Sequence, residues 1–188
     1  MTPDSPAHEP RARARPVPRF ERWPDAVRSA ELLRGTLVRC GPGVRAVGWP
    51  ETPRARAAAL APWLTPDRIA IRMSAAWIWG AARRPDAPLE LSTAGRRRPG
   101  PGAHRDHLLH QFAYDDAALR SLDDFTVTGP EQTVYDLLRM PAGFTRRHAV
   151  ACRLLLQLVP DGRAGVEERL ERQHSHYRAL ARSRLVRL

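Results

Sequence analysis

The stretch VTGPEQTVYDLLR, residues 127–139, joins two unlike patterns. FTVT at 125–128 is a β-branched run that reads as a strand, and Gly129-Pro130 breaks it. Beyond the break, Val134, Leu137 and Leu138 recur at helical spacing, and Pro141 ends the pattern. Thr128 is placed to cap this helix. Glu131, three residues on, has capping-box spacing, in which Thr and Glu each satisfy a free backbone N–H. A carboxylate there also suits the positive end of the helix dipole. Strand passes directly into helix, and the chain is read as α+β on that pattern.

Downstream, TRRHAVACRLLLQLV (145–159) is a strongly apolar helix, with Val150, Leu154, Leu155 and Leu158 as its stripe and Cys152 and Leu156 broadening it. VEERLERQHSHYRALARSRLVRL (166–188) reads as one long amphipathic helix. Val166, Leu170, Tyr177, Leu180 and Leu188 lie along one face and arginines along the other. It offers a surface for a partner or for a homodimer.

Upstream, PDAVRSAELLRG (24–35) has a helix-opening Pro, apolar Val27, Leu32 and Leu33, and Gly35 as a stop. TLVRCGPGVRAV (36–47) follows as two short strands about a Gly-Pro-Gly tip. A helix and then a hairpin form the last part of a winged helix, which sets a recognition helix in the major groove and lets the wing touch backbone. Arg28, Arg34, Arg39 and Arg45 are its natural phosphate contacts. The alternative is a hairpin that only packs on the next segment. ETPRARAAALAPWL (51–64) is a helix capped by Thr52 with Pro53 at its first position. IAIR (69–72) is a short strand or turn, and Ser74 is placed to cap SAAWIWGAA. Trp77 and Trp79 fit helical spacing, so they read as core rather than as a platform for stacked bases. PLELST (88–93) and HLLHQF (107–112) are strands. Between them AGRRRPGPG (94–102) carries Arg96, Arg97 and Arg98, a charge run that is either solvated or a nucleic-acid contact.

The 188 residues include 31 Lys or Arg against 20 Asp or Glu, for a formal net charge of +11. That balance favours a polyanion partner. Every basic residue is Arg, with no Lys and no Asn, which looks like a coding bias and discounts the inference. Residues 114–140 are the acidic exception, with two Arg against six acids. Turn and cap residues account for that locally.

No catalytic arrangement is evident. His107 and His110 on a strand face opposite sides, which spoils a shared metal site with His104. His174 and His176 are two apart on a helix and diverge. Ser74, Ser92 and Ser121 lie in no nucleophile elbow, and there is no phosphate-binding GxxxxGK[ST] loop. Asp115, Asp116, Asp123 and Asp124 read as turn chemistry. No cofactor, no metal and no enzymatic activity are expected. Cys40 and Cys152 belong to no CxxC pair, no apolar run is long enough for a bilayer and the start has no apolar leader segment, so a cytoplasmic protein without membrane attachment is expected.

Taken in order, RGTLVRCGPGVRAV (34–47), MSAAWIWGAA (73–82), LELSTAGRRR (89–98) and TVTGPEQTVYDLLR (126–139) resemble the AbiEi family of antitoxins from type IV toxin–antitoxin (abortive infection) systems, above all its short forms. The similarity covers roughly 24–160. The resemblance implies a winged helix joined to a domain with a small mixed sheet. It further implies a transcriptional regulator that binds double-stranded DNA at its own promoter and counters a nucleotidyltransferase-like toxin without necessarily touching it. On this reading residues 1–22 are a disordered basic arm, 23–50 a winged-helix remnant, and 51–188 the antitoxin domain with C-terminal helices. Some relatives add a nuclease-like domain that is not expected here. The other reading is a protein-interaction module derived from such an antitoxin that has lost DNA binding.

Overall fold

The computed structural model describes residues 15–95, 105–172 and 176–188. Arg96, Arg97, Arg98, His104, His174 and the first 14 residues of the expected arm lie outside them. The protein is α+β, and its described residues form seven helices, a two-stranded hairpin and a five-stranded mixed sheet.

Helix α1 (Asp25–Arg34) follows Pro24 and stops at Gly35, whose φ of 77° puts it in the left-handed region that glycine adopts without strain. Strands β1 (Leu37–Cys40) and β2 (Gly43–Ala46) pair antiparallel, Leu37 opposite Ala46 and Cys40 opposite Gly43. The hairpin is pressed against helix α2 (Pro53–Ala59): a Cβ at Gly43 would run into the Ala59 carbonyl. Thr52 caps α2 as expected, its hydroxyl accepting the Ala55 N–H at 3.2 Å.

The sheet is built from β3 (Arg68–Ala70), β4 (Leu89–Thr93), β5 (His107–His110), β6 (Leu119–Leu122) and β7 (Phe125–Thr128), in the spatial order β5-β4-β3-β7-β6. β3 runs antiparallel to β4 and parallel to β7; β4 is parallel to β5 and β6 antiparallel to β7. Helix α3 (Arg72–Ile78) links β3 to β4, and α4 (Pro130–Leu138) leaves β7. Helices α5 (Arg146–Leu156), α6 (Gly162–Arg172) and α7 (Arg178–Val186) complete the chain.

Two apolar clusters meet at α3. One gathers Cys40, Leu60, Leu64, Trp77, Ile78, Leu91, Phe125 and Val127 beneath the hairpin and sheet. The other gathers Met73, Val134, Leu137, Leu138, Cys152, Leu155, Val166, Leu170 and Leu185 among the helices. Trp79 packs on both, and its indole N–H donates to the Thr128 carbonyl at 2.8 Å. Each fully buried Leu here contributes about 1.5–3 kcal/mol. Trp77 is buried in the core, so its face is closed to bases.

Several expectations are corrected. Thr128 does not cap α4. Its hydroxyl is turned inward to the Ala70 carbonyl and Thr133, the helix begins after Gly129, and Glu131 instead pairs with Arg169 at 3.1 Å. Ser74 lies inside α3, where its hydroxyl accepts the Glu90 N–H at 2.9 Å. A true capping box stands at Thr145 and His148, opening α5. Strand β6 carries no strand signal in the sequence, since LRSL contains no β-branched residue. On α5 the buried face is Ala151, Cys152, Leu155 and Leu156, whereas Val150, Leu154 and Leu158 are 42%, 48% and 50% exposed. The single long C-terminal helix is two helices. Tyr177, at φ 64°, precedes α7, and the buried phase resets to Ala181 and Leu185.

Candidate functional site

Residues 15–22 of the expected arm are tied to the body. Arg19 pairs with Glu21 and with Asp124 at 3.1 Å, and Phe20 meets Trp23 edge-on at 4.9 Å between centroids.

The candidate phosphate contacts are not brought together. Arg28 pairs with Asp25 and also reaches the Phe20 and Glu21 carbonyls. Arg34 pairs with Glu31 on its own helix. Arg45 turns back to donate to the carbonyls of Ala46 at 3.2 Å and Trp49 at 2.7 Å, bracing the turn after the hairpin. Arg39, exposed on β1 opposite Val44, has a guanidinium with no hydrogen bond or ion pair among the described residues.

Arg39 has neighbours that sequence reading missed. Trp63, after α2, and Pro42, at the hairpin tip, are shared by two adjoining hollows of about 330 and 500 Å³. The first is also lined by Arg28 and Arg39, the second by Arg84 and Arg105. Arg84 and Arg105 are exposed and, among the described residues, their guanidinium groups are unpaired. The Trp63 carbonyl accepts from Arg68 at 3.0 Å, which fixes the turn that carries the indole. The result is an aromatic beside three exposed guanidinium groups without an ion-pair partner among the described residues, although Asp86 and Asp106 also line the second hollow and Glu21 and Asp25 the first. Such a grouping can meet phosphate and a sugar or base face. Scattered Arg between Pro residues gave no periodic signal from which this grouping was readable.

A second concavity, of about 460 Å³, opens where α3, the segment after β5, α4, Arg169 of α6 and the residues His176 and Tyr177 before α7 converge. Asp136 stands in its lining, its two oxygens accepting from Tyr114 Oη at 2.9 Å and Gln132 Nε2 at 2.7 Å. Gln132 in turn accepts from Arg169 through Oε1. Burial is the main cause that pushes the Asp136 carboxyl up to about 6, and the Tyr114 phenol is driven far above its usual value by burial and by Asp136. Arg72 and Arg139 border the same space. Arg72 stands at φ 45°, pairs with Glu90 at 3.0 Å and stacks on Phe112 at 5.1 Å, leaving its buried Nε without a hydrogen bond. Asp136 was legible only as a polar interruption between Val134 and Leu137.

Among the described residues no group of three or more His, Cys, Asp or Glu gathers as a metal site would, and no helix is long and apolar enough to cross a membrane. His107 and His110 are engaged separately, the first 3.2 Å from Arg68, the second 3.8 Å from Glu90. No protein-family model, curated protein or solved structure matches the chain.

Proposed function

We propose that the chain is a non-catalytic, DNA-binding transcriptional regulator of the type IV antitoxin kind, acting at its own promoter against a nucleotidyltransferase-like toxin. The observation that carries the DNA-binding part is the exposed trio Arg39, Arg84 and Arg105 around Trp63, at the tip of a hairpin preceded by a helix. The antitoxin part rests on the order of the four motifs. In this reading the wing tip and its neighbours hold the phosphate backbone, while α1 approaches the groove.

Electrophoretic mobility shift against the chain's own upstream region tests it. Binding should weaken steeply with salt as phosphate contacts release counterions, and the triple variant Arg39→Ala, Arg84→Ala, Arg105→Ala should flatten the salt slope by about two to three. Equal affinity for unrelated DNA, or an unchanged slope, would argue against a specific repressor.

One observation favours the interaction-module reading. Helix α1 buries none of its residues, pairs both of its arginines with its own acids and leaves Leu33 91% exposed. Light scattering together with pull-down of a co-encoded protein separates the two: a stoichiometric complex, with no DNA shift, selects the module.

A further inference from the structure

The concavity around Asp136 is unused by the DNA reading, and its chemistry is of another kind. Its volume, about 460 Å³, is that of a small-molecule site. Three guanidinium groups line it, but they are not equivalent. Arg72 is paired with Glu90 and Arg169 with Glu131. Arg139 has no carboxylate partner among the described residues; its Nε donates to the His176 carbonyl at 3.1 Å and its guanidinium lies over the Tyr135 ring at 4.8 Å. Arg169 lies over the same ring at 4.5 Å, so Tyr135 is held between two cations. Arg139 is thus a positioned cation with donors to spare.

Asp136 supplies the opposite character. Tyr114 and Gln132 each occupy one of its oxygens, which leaves a carboxylate, with acceptor capacity for about two more N–H groups, fixed in orientation. Tyr177, 52% exposed, adds ring surface at the mouth, whereas Phe112 is already covered by the Arg72 guanidinium at 5.1 Å and by His110, stacked on it at 5.1 Å between centroids. An acceptor, an exposed aromatic face and a guanidinium without a carboxylate partner in one space complement a ligand with a planar ring bearing N–H donors and a doubly charged anion.

We propose that this cleft binds a nucleoside monophosphate, the N–H edge of the base donating to Asp136, the ring lying against Tyr177, and the phosphate held by Arg139. The fixed chain Arg169–Gln132–Asp136–Tyr114 presents the carboxylate with no reorganisation on binding.

Isothermal titration of the full chain with AMP, CMP, GMP and UMP, in the absence of DNA, tests the assignment. At least one should bind with Kd below about 1 mM, and its nucleoside and orthophosphate should each bind at least about tenfold more weakly. Arg139→Gln should weaken the monophosphate about tenfold or more while leaving the nucleoside unchanged. Tyr177→Ala, at an exposed side chain, should weaken both and keeps the test sound if Arg139→Gln perturbs folding. No heat from any monophosphate overturns the proposal, as does orthophosphate binding as tightly as the nucleotide, or wild-type affinity in a folded Arg139→Gln. Because DNA is absent, failure here leaves the mobility-shift result standing, and the converse holds.

Discussion

The Glu90 carboxylate caps a helix to which it does not belong, receiving the Arg72 guanidinium at 3.0 Å and the Met73 N–H at 3.4 Å. Ser74 returns the bond by accepting the Glu90 N–H, so strand β4 and the start of α3 are tied in both directions. The tie holds Arg72 in a backbone conformation that a side chain with a Cβ rarely takes. Glu90→Ala leaves a largely buried guanidinium unpaired and is expected to cost about 3–5 kcal/mol, read by urea denaturation. Glu90→Gln, which keeps an acceptor, should cost less.

Asp136 gives stability a distinct pH dependence. Its carboxyl is raised from 3.8 to about 6 on folding, chiefly by burial, against the opposing pull of the Tyr114 and Gln132 hydrogen bonds and then of Arg72 and Arg139. A raised folded value means that its contribution is fully present below about pH 4 and is lost as pH climbs through about 6. Burial lowers His110 and His148, whose contributions therefore run the other way, growing as pH rises toward 6.5. The difference between wild type and Asp136→Asn isolates the carboxyl. Between pH 4 and 6 that difference should move against the wild type by about 1.4 kcal/mol per pH unit. A flat difference would mean that the carboxylate is solvated.

The hairpin's seat on α2 is equally testable. Gly43→Ala places a methyl against the Ala59 carbonyl, which is backbone and has little room to yield. A loss of about 1–3 kcal/mol is expected from calorimetry. Gly48→Ala, where an added Cβ meets nothing, should change stability by less than about 0.5 kcal/mol.

Both thiols are buried, and burial pushes Cys40 up to about 11 and Cys152 to about 12. Neither forms appreciable thiolate at neutral pH. Ellman's reagent at pH 8 should find almost no reactive thiol in the native protein and both on addition of guanidinium. Rapid native labelling would place at least one cysteine at the surface.

Helix α5 offers adjacent leucines in opposite settings. Leu155 is fully buried and Leu154 is half exposed. Leu155→Ala should cost about 2–5 kcal/mol, whereas Leu154→Ala should fall near 0.5. Equal losses would mean that something covers Leu154 in solution.

The element sequence was largely readable because its punctuation is strong. Pro24 and Gly35 bracket α1, Gly41 and Pro42 form the hairpin tip, and Thr52-Pro53 opens α2, each through a backbone preference that acts locally. What failed was decided at longer range. Thr128 and Glu131 have the spacing of a cap, but Ala70 and Thr133 compete for the hydroxyl and Arg169 for the carboxylate. Val150 and Leu154 match a helical stripe as well as Ala151 and Leu155 do, and only the neighbours α4 and α3 choose between them. Arg28 and Arg34 were different in kind: Asp25 and Glu31 stand at the i,i+3 spacing that lets a helix pair them, so their ion pairs were legible locally. Trp63, Arg84 and Arg105 are separated along the chain and become one patch only after folding.

Helix α3 is only seven residues long, yet Arg72 at one end borders the Asp136 concavity and Trp77 near the other underlies the hairpin. A Cβ on Gly41 would come within 2.7 Å of the Trp77 ring, so there is no slack at that end. The concavity and the hairpin are therefore reached from the two ends of one helix about 10 Å long. One short helix thus sets the position of both Arg72 and the indole beneath the hairpin.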